Sequence, residues 1–143
     1  MSGIVVGVDG SHHAGKALDW AMAEAALRKA PLTVLTIHPA LQSWTGQPAD
    51  WPGDEKVLAE IREQAEKAVA EAAAKLTTQP ESVTVAAVNG FPAQALIEAS
   101  KDADLLVVGN RGTGGFAPLA LGSVSSQVTH HSSCPVVVIH TGR

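Results

Sequence analysis

Ile4–Asp9 read IVVGVD, a short β-branched apolar run that ends at Gly10-Ser11. Such a run, closed by a turn signal, is the pattern of a strand buried on both faces. The same signature recurs in LTVLTIH (Leu32–His38), SVTVAAV (Ser82–Val88), ADLLVVG (Ala103–Gly109) and PVVVIH (Pro135–His140). Between these runs lie segments of helical period. Ser11 can cap a helix reaching about Lys29, whose inner face carries Leu18, Met22, Ala25 and Ala26. In the Asp54–Leu76 segment, Val57, Leu58, Ile61, Ala65, Ala68, Val69, Ala72 and Leu76 share one face opposite a charged one. Pro92 opens a third helix to about Lys101, as proline suits the first helical turn. A fourth helix starts near Gly122. Continuous apolar strands alternating with helices indicate an α/β fold, a Rossmann-like, doubly wound parallel sheet with helices on both faces.

Size and composition bound the rest. The chain has 143 residues, 45% of them hydrophobic and 17% charged, and a net charge of −4. That fits one domain spanning residues 1–143, with a real core and no linker. A mildly acidic chain lacks the basic footprint of a nucleic-acid binder. No apolar run reaches the roughly 18 residues of a membrane helix, so no membrane partner is expected. The start, MSGIVVGVDG, has no basic leader, and one cysteine, Cys134, excludes an internal disulfide. A cytoplasmic setting follows.

The chemistry concentrates in GNRGTGGFAPLALGSVSSQV, Gly109–Val128. Beyond Arg111 no charged residue occurs until Arg143. The segment follows the fourth strand, so it lies on the carboxyl rim where parallel sheets bind ligands. A helix beginning there offers unpaired backbone N–H groups to an anion, and glycine lets a phosphate come close. A P-loop would need lysine in the segment, and none is present. Gly112, Gly114 and Ala117 formally spell a dinucleotide fingerprint, but Pro118 follows and no acidic residue lies about 20 positions on. A nucleophile elbow is absent.

The spacing Gly109-x2-Gly112-x9-Gly122-Ser123, with VGVDGS at the first strand, RGTGGF in the loop and HHSSCPVVVI near the end, resembles the universal stress protein family, in its ATP-binding subclass. The likeness runs through the whole chain. It implies strand order 3-2-1-4-5 and an adenine nucleotide (ATP, or ADP, AMP or cyclic AMP) lying across strands one and four. Carried over by position, Gly7, Val8 and Asp9 approach the nucleotide, and Ile37 meets adenine through its backbone. Val108 and Gly109 line the ribose side, Arg111 and Gly112 begin the loop, and Gly122, Ser123, Val124 and Ser125 hold phosphate. Asp9 is the candidate Mg²⁺ contact, since a carboxylate beside phosphates needs a metal between them. Two positions depart from the pattern: Thr113 stands where relatives often have arginine, and Thr36 where many have histidine.

No residue is positioned as a catalytic base, so a regulatory stress-response module that binds nucleotide is expected rather than an enzyme. A slow ATPase or nucleotidyl-transfer enzyme, and a nucleotide-free dimeric interaction module, are the alternatives. The uncharged final strand, an edge in this order, predicts a homodimer. The pairs His12-His13 and His130-His131 point to different helix faces and make poor metal clamps. Cys134 reads as a small hydrophobe. Trp44 and Trp51 sit in a proline-rich stretch, His38–Asp54, that reads as a long irregular loop.

Overall fold

A computed structural model of the chain describes residues 3–8, 12–39, 41–42, 48–49, 54–110 and 122–140. In chain order the elements are β1 (Ile4–Val8), α1 (His12–Arg28), β2 (Pro31–Pro39), β3 (Leu41–Gln42), β4 (Pro48–Ala49), α2 (Asp54–Ala74), β5 (Ser82–Gly90), α3 (Pro92–Ser100), β6 (Leu105–Gly109), α4 (Ser123–His131) and β7 (Val136–Ile139). The main sheet has five strands in the order β5-β2-β1-β6-β7, all pairs parallel. This is the expected order, 3-2-1-4-5. One addition lies in the long loop, where β3 and β4 pair antiparallel as Leu41↔Ala49 and Gln42↔Pro48. Two rungs carry too little alternation to register as strands in the sequence.

Each face of the sheet has its own apolar layer. Ile4, Val6, Leu32, Val34, Leu105 and Val107 pack with Ala17, Leu18, Ala21, Met22 and Ala25 of α1 and with Ala72 of α2. Val5, Leu35, Leu106 and Val108 face the other way, onto Leu96 of α3 and Val128 of α4. Successive strand residues therefore serve opposite layers, which is why the central strands β1 and β6 carry no polar residue, whereas edge strand β5 alternates exposed Ser82 and Thr84 with Val83 and Val85. Completely burying such a side chain stabilises the fold by roughly 1.5–3 kcal/mol. The inner face expected of α1 is buried as read, and Leu27 on its outside is 80% exposed.

The amino ends of the strands are pinned. Gly3 N–H donates to the Asp104 carboxylate at 2.9 Å and Asp104 N–H returns a bond to Gly3 O at 2.8 Å. Helix α1 ends in a Schellman arrangement: Ala30 N–H donates to Ala25 O at 2.9 Å and Lys29 N–H to Ala26 O at 3.2 Å. Lys29 holds the left-handed position, φ 54°, usually given to glycine.

The two sheet edges differ. On β5, the Val85 carbonyl accepts a hydrogen bond from the Arg62 guanidinium of α2 at 2.8 Å. On β7, Pro135 O takes the Leu106 N–H at 3.0 Å and Ile139 O takes the Asn110 N–H at 2.9 Å. Backbone groups alternate sides along a strand, so residues 135, 137 and 139 face β6. Val136 and Val138 present their N–H and C=O outward.

Candidate functional site

The crevice arises from where the ladders stop. Strands β1 and β6 pair as Ile4↔Leu105, Val5↔Leu106 and Val6↔Val107, and there the register ends. Each strand goes on for two residues with its other neighbour. Gly7 and Val8 pair with Leu35 and Thr36 of β2, while Val108 and Gly109 pair with Val138 and Ile139 of β7. The sheet therefore splits between its two central strands at the carboxyl rim, where the chain order reverses. Open parallel sheets bind ligands at such a switch point. Strand β2 outruns β1 as well: Ile37, His38 and Pro39 continue along β5 to Val88, Asn89 and Gly90.

The side chains around this split are spent on packing. Val8 joins the α1–α2 layer, whereas Val108, Ile37 and Val124 join the α3–α4 layer. Thr36, between Val8 and Ala87 in the ladder, is buried. What these positions can offer a ligand is backbone. Gly7 has a packing role of its own. A Cβ built there would stand 2.9 Å from Leu96 Cδ2 and 3.1 Å from Cδ1, so a side chain at residue 7 would have to displace the Leu96 side chain of α3.

Asn110 and Gly122 hold the amino end of α4 beside the split. Gly122 N–H donates to Asn110 O at 2.7 Å. The buried Ser125 hydroxyl lies 3.0 Å from Gly122 O and 3.4 Å from Asn110 O, and its single proton serves the nearer. The first intrahelical bond runs from Ser126 N–H to Gly122 O at 2.9 Å. The amides of Ser123, Val124 and Ser125 precede it and have no acceptor within the helix. With the helix dipole they give the start of α4 a partial positive charge. Gly122 itself has φ −62° and ψ 161°, which any residue can adopt. The backbone angles therefore give no reason for glycine at this position.

Of the residues expected to form the site, Gly7, Val8, Val108 and Gly109 lie at the strand ends flanking the split. Ile37 sits one rung past the end of β1, and Gly122, Ser123, Val124 and Ser125 form the start of α4. Asp9, Arg111 and Gly112 lie outside the described residues, as do Ser11, Thr113, Trp44 and Trp51. Among the described residues no group of three or more His, Cys, Asp or Glu side chains could hold a metal ion. Asn110 was not anticipated. Its signal was only position, the one residue between the Gly109 strand end and Arg111.

A sequence model of the universal stress protein family matches residues 1–140. The chain belongs to the universal stress protein family. It is 40% identical over 145 residues to a universal stress protein of Mycolicibacterium smegmatis, an alignment covering 96% of this chain and 48% of that one. The chain spans about half the length of the curated relatives it matches. Among solved structures, the universal stress protein UspA of Lactobacillus plantarum superposes with a TM-score of 0.68 at 29% identity, covering 96% of each chain. A universal stress protein in complex with cAMP superposes with a TM-score of 0.69 at 32% identity, covering 98% of this chain and 97% of that one. Among the described residues, no helix is long and apolar enough to cross a membrane.

Proposed function

We propose that this universal stress protein is a regulatory module of the ATP-binding subclass, one domain with one adenine-nucleotide site at the split between β1 and β6. The observation that carries the reading is the end of the β1–β6 ladder at Val6↔Val107, beside the amides of α4 that precede its first intrahelical bond. The gap takes a flat ring and ribose against backbone, and the amides of Ser123, Val124 and Ser125 take phosphate. Ile37 supplies backbone to adenine. Gly122 leaves room for phosphate, and Asp9 and Arg111 add Mg²⁺ and phosphate contacts. The solved relative in complex with cAMP supports an adenine nucleotide as the ligand class.

Recognition rather than turnover is the function. The described part of the site offers amides and glycines and no general base. The working form is a cytoplasmic homodimer joined through β7, whose Val136 and Val138 leave backbone groups for an antiparallel partner strand.

Denaturing the purified protein and identifying the released small molecule by mass tests the ligand. An adenine nucleotide at near one per chain is expected. In calorimetry, Gly122→Val should lose nucleotide binding with its circular dichroism unchanged, because a side chain there occupies the phosphate position. Equal affinity in the two proteins would remove the site from α4.

A further inference from the structure

Asn110 joins the start of α4 to the end of β7 through its backbone, beside the packing of Val124 and Val128 against Val136 and Val138. Its N–H donates to Ile139 O, the last inward bond of β7, at 2.9 Å. Its carbonyl accepts the Gly122 N–H at 2.7 Å, with the Ser125 hydroxyl 3.4 Å away. These two groups flank one Cα, so the φ and ψ of a single residue set both the end of β7 and the start of α4. Strand β7 has only four residues and all four are half-buried, so losing one ladder bond loosens a large share of it. The neighbouring Val138 presents the outward N–H and C=O. Those groups line up for a partner strand only while Ile139 is held against β6.

Resting on the nucleotide-binding reading, we infer that nucleotide binding at the α4 amino terminus and pairing of a second copy at the β7 edge are thermodynamically coupled through Asn110. A ligand on the first-turn amides of α4 fixes Gly122, and Gly122 fixes the Asn110 carbonyl. The same backbone geometry directs the Asn110 N–H at Ile139. Each event thus meets part of the ordering cost of the other, which gives positive cooperativity without a large change of shape. Linkage requires the effect to be reciprocal and equal in both directions.

The test is sedimentation equilibrium of the full chain with and without saturating ATP, and separately cAMP, with bound nucleotide followed by absorbance at 260 nm. The dimer dissociation constant should fall by about 5-fold or more when nucleotide is bound, the lower range of allosteric coupling. Reciprocally, Val138→Lys, which separates the copies, should weaken nucleotide binding by the same factor. Asn110→Gly keeps both backbone bonds available but frees the hinge, and should lower the coupling factor below that of the wild type while dimers and binding remain measurable. Nucleotide bound to a dimer whose dissociation constant does not change would overturn the coupling and leave the proposed function standing. Failure to bind either nucleotide, or a monomer at every concentration, would overturn the coupling and the proposed function together.

Discussion

Gly7 and Leu96 meet with no space to spare: a methyl group on residue 7 would lie 2.9 Å from one Leu96 methyl and 3.1 Å from the other. Leu96 is buried, at 4% exposure, among Val5, Leu106 and Val108. Gly7→Ala should therefore lower stability by about 1–2 kcal/mol through overpacking. Leu96→Val in the same chain should recover part of that loss, a non-additivity that urea unfolding of the double-mutant cycle measures. Additive losses would mean that the side chains at positions 7 and 96 do not compete for this space.

Lys29 offers a stabilising change. Its left-handed φ of 54° costs a residue with a Cβ roughly 1–2 kcal/mol, while the bonds around it come from the backbone. Lys29→Gly keeps the Schellman bonds and should raise stability by about 1 kcal/mol, read as a higher thermal midpoint. Nucleotide affinity should not change, since α1 ends at the amino rim of the sheet.

At that same rim, Gly3 should tolerate nothing larger. Its φ is +89°, and a Cβ would fall 2.4 Å from the Pro31 carbonyl oxygen, a backbone atom that cannot swing aside. Gly3→Ala should cost on the order of 2–3 kcal/mol by combined strain and displacement of β2. Thermal unfolding with a midpoint equal to the wild type would contradict this geometry.

Ser100 is a buried bridge. Its hydroxyl donates to Ile97 O at 2.6 Å and accepts the Ser133 N–H at 2.9 Å, tying the end of α3 to the turn before β7. Ser100→Ala leaves that amide without its acceptor and should destabilise by about 1–3 kcal/mol. Hydrogen exchange should accelerate first at Ser133.

The fold was legible because both sheet faces are covered. Runs such as Leu105–Val108, apolar at every position, fit a sheet covered by helices on both faces, and that constraint outlined the strands, the layers and their parallel direction, while the strand order came only with the family resemblance. The glycine spacing marked the rim, and the structure brings Gly109 and Gly122 to one end of the sheet through Asn110. Less visible were features made by backbone alone. Nothing about lysine announces a left-handed helix end at residue 29, and two rungs between Leu41–Gln42 and Pro48–Ala49 leave no periodic trace. Ser125 shows the limit of reading residue types. A hydroxyl near a helix start suggests phosphate or a cap, yet here the proton goes to a carbonyl of the preceding turn and only the amide is left for an anion.

The bond from Arg62 to Val85 bears on how far self-association can run. Were both margins of the sheet equally available, copies could join β5 to β7 head to tail, and nothing in that geometry would stop at a given number. The guanidinium on the β5 margin disfavours that head-to-tail contact, so in the proposed dimer β7 would meet β7. Such a pair would turn its two β5 margins, each with an Arg62 on it, outward. The proposed assembly would then stop at two, a small discrete particle rather than a fibre.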